Sequence, residues 1–388
     1  MKKLYIVGSA LIIFCWLFVI WIYSGDSETY HIDYVDHSKN AAQYEKTKIS
    51  FVGDIMVHKG QLEAAKKGEI YSFSKTYKYI EDIMKSPDYF IGNLETTLNS
   101  YGNYTGYPRF RTPEVLAKDL KEKGLDILVT ANNHSMDNNI EGVYETIDIL
   151  DKYDIRHTGT FKKETSYLKF EKNGIRFGMS NYTYGTNGIP IPKGKENAVN
   201  LIEEKRILKE LKSMKAVDVK IVYLHFGDEY QIKPNDYQRE LVDKLFEGGA
   251  DVIIGSHPHV NQPMEIKEVN GKQKFVIYSL GNFVSSQRGE YKDRSIILNL
   301  EFIKKENRVS IDRVSYIPIW NRYRKVGEKN IITIIPIDLA FAISEISFSD
   351  KDNALMEKAK KDLLEMYPYV ETYINGEILE YIVYEEIH

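Results

Sequence analysis

Five short hydrophobic runs in this chain are each followed by a residue type that binds metal ions, and this repetition constrains the fold more than any other feature. The runs are rich in β-branched residues and are bounded by glycine or polar residues, which is typical of buried parallel strands. In open α/β sheets, ligands bind at the carboxyl ends of the strands, so we expect the donor side chains to converge on one edge. The runs cover residues 49–52, 89–91, 127–129, 219–224 and 252–254, and they are followed by Asp54, by Glu95, by Asn133 and His134, by His225, and by His257 and His259, respectively.

Each of these histidines, taken alone, is also explained as a hydrogen-bonded loop or core residue. The chain has nine histidines, and four of them follow the hydrophobic runs, while His58 lies four residues past Asp54. Their joint placement therefore favours a metal centre over separate structural roles.

Helical patterns lie between the predicted strands. They cover residues 113–123, 142–153, 202–214 and 236–246. This alternation predicts an α/β fold with a largely parallel sheet covered by helices. After Gly271, strands are predicted at 275–280, 296–302, 309–317 and 331–337 and a helix at 353–366, so the second half is expected to be antiparallel.

The first residues predict a membrane anchor. Residues 4–23 carry no charge, and about 20 apolar residues suffice for a helix to cross a bilayer. The run has no small-residue cleavage site after it, which favours an uncleaved anchor over a signal peptide. Lys2 and Lys3 precede the run and acidic residues follow it, so the amino terminus is expected in the cytoplasm and the rest outside.

The predicted organisation is therefore a cytoplasmic end at residues 1–3, a transmembrane anchor at 4–23 in the lipid bilayer and a juxtamembrane linker at 24–46. A main domain at 47–290 follows, and residues 291–388 complete it or are appended to it. The single cysteine, Cys15, lies in the anchor, so we expect neither disulfides nor thiol catalysis in the outer part. A net charge of -4 gives no sign of the large basic surface that binds nucleic acid, so nucleic acid is not an expected partner.

The donor types suggest what the centre could do. The carboxylate of Glu95 could bridge two cations, and a pair of cations about 4 Å apart can clamp an anionic oxygen and lower the pKa of a bound water. Mixed nitrogen and oxygen ligands suit Mn, Fe or Zn better than Mg or Ca.

Three further stretches fit such a centre, and each has a simpler alternative. His257 and His259 flank Pro258, which would stiffen the turn, although the stretch could also be an ordinary surface turn. Asp137 lies three residues after His134 and could hold its ring in one tautomer, although this stretch could equally cap a helix. Arg109 and Arg111 could bind phosphate or carboxylate oxygens, or could be surface charges.

These stretches resemble the CapA family of poly-gamma-glutamate capsule biosynthesis proteins, whose fold is similar to that of the calcineurin-like metallophosphatases. The resemblance covers about residues 47–285. The matching stretches are 53–56, 93–95, 110–113, 131–134 with Asp137, 225–230, 248–251, 257–260 and 278–283.

The resemblance implies a sandwich of two sheets flanked by helices, with a metal centre at its rim. It implies that Asp54 and His259 bind one divalent metal, that Asn133, His225 and His257 bind a second, and that Glu95 bridges them. His134 would be the general acid or would stabilise the transition state.

Two positions depart from the family pattern. The phosphatases have a histidine two residues after the first aspartate, where this chain has Met56, and thioether sulfur is a poor ligand for hard cations. His58 is a possible replacement, so one or two ions are expected. Phe226 stands where the family usually has tryptophan.

These features lead to three functional hypotheses. The first is a membrane-anchored, extracellular protein that acts on an anionic polymer such as poly-gamma-glutamate through a metal-dependent hydrolase-type site. The second is a non-catalytic export or assembly component that docks on membrane synthase subunits. The third is a general cell-envelope metallophosphoesterase. Because one scaffold hosts many reactions, fold alone does not decide among them.

Overall fold

The computed structural model describes residues 45–163, 166–367, 370–374 and 377–386. The predicted anchor at 4–23, and with it Cys15, lies outside these residues, as does nearly all of the predicted linker. Within the described part of the chain, no helix is both long enough and apolar enough to cross a membrane.

The first sheet has ten strands, and its centre is parallel. Its main strand order is β19-β20-β17-β16-β1-β4-β7-β8, with β15 paired to β1 and β18 paired to β17. Strands β1, β4, β7 and β8 are parallel, whereas β16, β17, β18 and β20 pair antiparallel. The strands are β1 (Glu45–Ile55), β4 (Tyr89–Leu94), β7 (Ile127–Val129), β8 (Arg156–Thr158), β15 (Asn282–Val284), β16 (Arg294–Lys305), β17 (Arg308–Val326), β18 (Lys329–Pro336), β19 (Val370–Ile374) and β20 (Glu377–Glu385).

The second sheet has six strands in the order β13-β14-β12-β11-β10-β9. Its four inner strands are parallel, and β9 and β13 pair antiparallel at its two edges. The strands are β9 (Leu168–Lys172), β10 (Ile175–Thr183), β11 (Val219–His225), β12 (Val252–Ser256), β13 (Asn261–Val269) and β14 (Lys272–Leu280). Two small two-stranded sheets pair β2 (Lys66–Lys67) with β3 (Ile70–Tyr71) and β5 (Thr97–Asn99) with β6 (Arg111–Pro113).

Helices cover the outer faces of both sheets. The α-helices are α1 (Lys59–Ala65), α2 (Glu81–Lys85), α3 (Val115–Glu122), α4 (Asn139–Lys152), α5 (Glu204–Ser213), α6 (Asp236–Glu247) and α7 (Asp350–Met366), and two 3₁₀ helices cover Ser74–Ile80 and Ile337–Ala342. Local sequence sets several of their ends. Asn235 caps α6 by accepting from the Gln238 amide, and Gly249 follows its end with a φ of 102°.

Strand alternation builds four layers. Successive side chains of a strand point to opposite faces, and these strands are apolar on both. Phe51 and Ile221 lie in the core between the two sheets. Their neighbours point outward: Val52 packs in the outer cluster that includes Leu116 and Leu150 of α3 and α4, and Val222 in the cluster with α5 and α6. The molecule is a mixed α/β sandwich of helices, sheet, sheet and helices.

Most predicted elements are present, and the differences have local causes. The last helix begins at Asp350 rather than at residue 353, because Ser349 caps it by accepting from the Asp352 amide. The strand predicted at 275–280 was expected to be antiparallel. It forms an antiparallel hairpin with β13 but also pairs parallel with β12, so it closes the parallel centre of the second sheet. Strand β10 was not predicted at all.

Candidate metal centre

The predicted donors lie together where the two sheets present the carboxyl ends of their parallel strands. Asp54 is near the end of β1, Glu95 directly follows β4, and Asn133 and His134 follow β7. From the second sheet, His225 is the last residue of β11, and His257 and His259 follow β12. All seven side chains are buried.

Glycines allow the strands at this edge to approach one another. A Cβ atom on Gly53 would lie 1.8 Å from the carbonyl oxygen of Gly281, and one on Gly255 would lie 1.9 Å from that of Tyr278. Both contacts are with backbone that cannot move aside without breaking a sheet. The residue before Asp54 must therefore lack a side chain for β1 to lie against the turn between β14 and β15.

Direct contacts join donors from the two sheets. His259 Nδ1 lies 3.0 Å from Asp54 Oδ2, and His225 Nε2 lies 2.8 Å from Asn133 Oδ1. The hydroxyl of Ser256 lies 2.9 Å from His225 Nδ1, which leaves Nε2 directed toward the cluster. The first sheet thus supplies oxygen donors, and the second supplies imidazoles.

The carboxylate of Glu95 lies at the centre of this group and is fully buried. Its Oε1 is 3.5 Å from His225 Nε2 and 3.8 Å from His259 Nε2. Neither oxygen has a hydrogen-bond partner within the part of the chain that the structure describes. Burial, reinforced by the charge of Asp54, raises the pKa of Glu95 well above its ordinary value.

Two of the nitrogen donors are held neutral. Burial lowers the pKa of His257 to about 4, and burial together with His257 and His259 lowers the pKa of His225 well below its ordinary value. Neutral imidazole is the form that binds metals. The ring nitrogens and carboxylate oxygens form three groups in which all donor atoms lie within 4.8 Å of one another: Glu95, His225 and His257; Asp54, Glu95 and His259; and Glu229, His257 and His259.

The turn that carries His257 and His259 is strained. Both residues have positive φ, 100° and 58°, a conformation that costs a non-glycine residue about 1–3 kcal/mol. The turn is held from two sides, because the Tyr230 amide donates to the Pro258 carbonyl at 2.7 Å and Asn282 Nδ2 donates to the His259 carbonyl at 3.1 Å. This strain places both rings at one edge, and the Nδ1 atom of His257 has no hydrogen-bond partner among the described residues.

His134 and Asp137 form a buried pair beside the cluster. His134 Nδ1 lies 2.8 Å from Asp137 Oδ2, an oxygen that also accepts from the Phe110 amide at 2.6 Å. The Phe110 ring packs edge-on against the imidazole with ring centroids 4.7 Å apart. The carboxylate therefore holds the proton on Nδ1 and leaves Nε2 for other contacts.

The other predicted residues lie farther from the donor groups. Arg109 is exposed, and Arg111 is half-buried in β6 with its Nε lacking a hydrogen-bond partner among the described residues. Nδ1 of His58 contacts Gln61 Oε1 at 3.3 Å and the Ser286 amide at 3.4 Å, and the ring packs on Phe110. Met56 is buried and brings no donor.

Several residues of the site were missed by sequence reasoning. Asn93 Nδ2 donates to Asp54 Oδ1 at 2.8 Å, and Asn187 Oδ1 accepts from Asn133 Nδ2 at 3.2 Å. Glu229 joins one donor group, and the half-exposed Tyr184 packs on His257 with ring centroids 4.6 Å apart. The position of Asn93 could have been predicted from the sequence, because side chains alternate along β4 and Asn93 therefore lies on the same face as Glu95.

Comparison with known proteins identifies the family of this chain. The sequence model of a family described as "Bacterial capsule synthesis protein PGA_cap" matches residues 48–287. The chain is 32% identical to the PGA biosynthesis protein CapA of Bacillus subtilis over 248 residues, and 29% identical to the capsule biosynthesis protein CapA of Bacillus anthracis over 266 residues. These matches cover 61% and 65% of this chain, and 63% and 62% of those relatives, which is less than two thirds of each.

Among solved structures, NAD nucleotidase of Haemophilus influenzae matches 82% of this chain and 68% of its own, with 15% identity and a TM-score of 0.45. The family match covers the second sheet, the parallel strands of the first sheet and every one of the buried donors at their common edge. The chain belongs to the family of bacterial capsule synthesis proteins described as PGA_cap.

Proposed function

We propose that this protein is a membrane-anchored, outer-face component of capsule biosynthesis that acts on an anionic polymer such as poly-gamma-glutamate through a metal-dependent, hydrolase-type site. Membership of the capsule synthesis family supports the biosynthetic role. The observation that carries the proposal of a metal is the buried Glu95 carboxylate, which faces His225 and His259 and has no hydrogen-bond partner among the described residues. Burial makes the ionised form of this carboxyl costly, as its raised pKa reflects, and a divalent cation would offset that cost.

The donors divide between two possible ion positions. Asp54, Glu95 and His259 form one set, and Glu95, His225 and His257 form another, to which Asn133 adds an amide oxygen. Mixed oxygen and imidazole donors suit Mn, Fe or Zn. Bound there, a divalent cation would supply Lewis acidity and would stabilise negative charge on an oxygen of the polymer.

The chain's own residues would supply proton transfer and orientation. With Asp137 holding the proton on Nδ1, a His134 ring that is protonated on both nitrogens would give its Nε2 proton to the leaving group of the cleaved bond and would be left neutral. Arg109 and Arg111 lie on the strand and loop that also carry Phe110, and they would orient the anionic substrate. Residues 4–23 would keep this site close to membrane synthase subunits.

Three variants of the full-length protein separate an enzyme from a scaffold. Asp54→Ala should lose bound metal and polymer production, whereas His134→Gln should keep its metal and lose production. His157→Ala removes a histidine of β8 that pairs with the exposed Asp151, and it should match wild type in both respects. Metal content by elemental analysis and polymer yield in cells are the measurements.

The outcomes distinguish the hypotheses. Full polymer output from both Asp54→Ala and His134→Gln would overturn the catalytic proposal. Loss of output with Asp54→Ala alone would favour the non-catalytic assembly component, in which a metal holds the structure. Unchanged metal content in Asp54→Ala would show that the proposed ligands are wrong.

The proposed location has its own test. Protease added to intact cells whose outer barrier has been removed should degrade the large domain, because the charge distribution around residues 4–23 predicts that it faces outward. Complete protection, with degradation after the cells are lysed, would overturn the proposed orientation.

A further inference from the structure

The side chain of Asn282 joins the segment after β15, residues 285–293, to the candidate metal centre. Asn282 Nδ2 contacts the carbonyl oxygen of His259 at 3.1 Å and that of Lys292 at 3.3 Å, and it also contacts Gln287 Oε1 at 3.1 Å. The segment is thus joined directly to the turn that carries two of the imidazole donors.

Lys292 extends over an aromatic ring at this place. Its ammonium lies 3.4 Å from the centroid of the Tyr230 ring, and that ring lies 6.1 Å from the ring of His259. Tyr230 is 43% exposed, whereas His259 is buried. The ammonium of Lys292 therefore lies on the ring of an exposed tyrosine, and that ring is next to His259, a candidate metal ligand. A cation on a ring face keeps N–H groups available for another ligand.

Arg288 adds a second positive charge from the same segment. Its guanidinium lies 4.1 Å from the centroid of the Tyr323 ring and donates to the backbone carbonyls of Gln287 and Ser285. Its Nε has no hydrogen-bond partner among the described residues. Burial lowers the pKa of Arg288 to about 10, so the group stays charged at neutral pH, and its charge contributes to the lowered pKa of His58.

The acids of the segment are engaged with other groups. Asp293 pairs with Arg294 at 2.8 Å and accepts from the Trp320 indole at 3.3 Å, and Glu290 lies 3.9 Å from Lys358. Within the described residues, neither Lys292 nor Arg288 has a carboxylate within 4.0 Å. The charge of Asp293 acts on Arg288 from beyond that distance, so the two cations lack a direct ion pair and can make one with a ligand.

We propose that Arg288 and Lys292 form an anion subsite that binds an acidic group of a polymer chain while a neighbouring unit of the chain lies at the donor cluster. Two separate cations on one segment suit a ligand with repeated anionic groups better than a single small ion. The polymer part rests on the proposed function, in which the repeated group is a carboxylate. A phosphate chain offers the same charge chemistry.

Binding measurements on the full-length protein test the subsite. The probes are γ-linked oligoglutamate, free glutamate and short-chain polyphosphate, titrated by calorimetry. Lys292→Met and Arg288→Gln should each weaken oligoglutamate binding about 10-fold, the usual effect of one charged contact, and should leave metal content unchanged. Free glutamate should bind alike to all forms. The loss should shrink at high ionic strength.

The control is Lys272→Met, because Lys272 begins β14 at the end opposite Leu280 and the site. Lys292→Met keeps the length of the side chain and removes only its charge, so it tests the subsite even where Arg288→Gln unfolds. Oligoglutamate affinity equal to wild type in Lys292→Met would overturn the subsite, as would a wild type that binds neither chain.

Two further outcomes separate the subsite from the proposed function. Binding of polyphosphate alone, weakened in Lys292→Met, would keep the subsite and overturn the choice of a carboxylate polymer. Oligoglutamate binding that is lost in Asp54→Ala and unaffected in Lys292→Met and Arg288→Gln would overturn the subsite and keep the proposed function.

Discussion

Acidic side chains at the two ends of the parallel strands differ in their hydrogen bonding. At the amino ends, an aspartate stands directly before each of four strands and accepts from a backbone amide of the neighbouring strand at 2.9 Å. The pairs are Asp88 with Lys48, Asp126 with Phe90, Asp218 with Arg176, and Asp251 with Lys220. At the carboxyl ends, Glu95 is fully buried and its oxygens have no hydrogen-bond partner among the described residues.

This difference separates structural acids from functional ones. An aspartate that accepts an amide at a strand's amino end contributes to the pairing of the strands. A carboxylate buried without such a partner lowers stability, so its presence has to be explained by something that the folded chain binds. The same fold carries both kinds, and Glu95, which is of the second kind, lies at the edge where ligands bind in sheets of this type.

The largest effect on the free energy of unfolding is expected when Glu95, the buried carboxylate without a hydrogen-bond partner in the described part of the chain, is substituted. In Glu95→Gln, the metal-free protein should be more stable to unfolding than wild type by about 1 kcal/mol at neutral pH, because wild type must protonate on folding a carboxyl that is ionised in the unfolded chain, and glutamine avoids that cost. Wild type should gain about 4 kcal/mol when Mn or Zn is added at 1,000 times its dissociation constant, and the variant should lose most of that gain. Denaturant unfolding with and without metal measures both changes.

Glu145→Gln is a suitable control, since Glu145 belongs to none of the donor groups and accepts from the Ser100 amide at 2.8 Å in a half-buried contact. It should show no metal-dependent change. A Glu95→Gln protein that is destabilised without metal and stabilised normally with metal would contradict the assignment of Glu95 as a ligand.

Much of the site could be predicted because its donors follow strands that the hydrophobic pattern reveals. Asp54, Glu95, Asn133, His225 and His257 each come at or just after the carboxyl end of a parallel strand, so their meeting follows from the topology. The pattern did not reveal which strands share a sheet. That assignment depends on long-range pairings such as β1 with β16 and β12 with β14.

The missed parts share a physical cause. Strand β10 contains Gly178, Ser180 and Asn181 and ends at Thr183, so it has neither a continuous apolar run nor a donor at its end. Asn187 and Glu229 lie in loops after β10 and β11, and the path of a loop depends on packing that local sequence does not specify.

The sequence also contains a signal for the amino ends of the strands, which the predictions above did not use. Asp88, Asp126, Asp218 and Asp251 each stand immediately before a hydrophobic run in the sequence. Read together, they mark where the strands begin. The predictions for the anchor and for metal binding by the individual donors stay predictions that the experiments above address.

A smaller effect on the free energy of unfolding is expected at Gly53, where the backbone of β1 lies directly against the backbone of Gly281. The new methyl group of Gly53→Ala would meet the Gly281 carbonyl oxygen at 1.8 Å, so β1 must move and Asp54 with it. We expect a loss of about 1–3 kcal/mol in the free energy of unfolding, together with weaker metal binding. Gly102→Ala should change neither quantity, because nothing lies within 4 Å of its added Cβ. Normal metal affinity in Gly53→Ala would show that the position of Asp54 does not depend on this contact.

The smallest effect belongs to the amino ends, where Asp126→Ala removes the acceptor for the Phe90 amide. The loss should be about 0.5–1.5 kcal/mol, the usual contribution of one hydrogen bond, and metal binding should be unchanged. Exposed Asp243 on α6 provides the control, since Asp243→Ala should have almost no effect.

The pH dependence sharpens this last prediction. Burial raises the pKa of Asp126 above its ordinary value of 3.8, so the folded protein binds a proton more readily than the unfolded chain. The stability of wild type relative to Asp126→Ala should therefore increase as the pH falls from neutral toward 3.8, and this extra stability should be lost again as the pH rises through the raised pKa. Denaturant unfolding at several pH values measures this difference directly. A difference that decreases on acidification would mean that the charged carboxylate, rather than its protonated form, is favoured at this end of the strands. The two ends would then differ in the favoured form of the carboxyl as well as in hydrogen bonding.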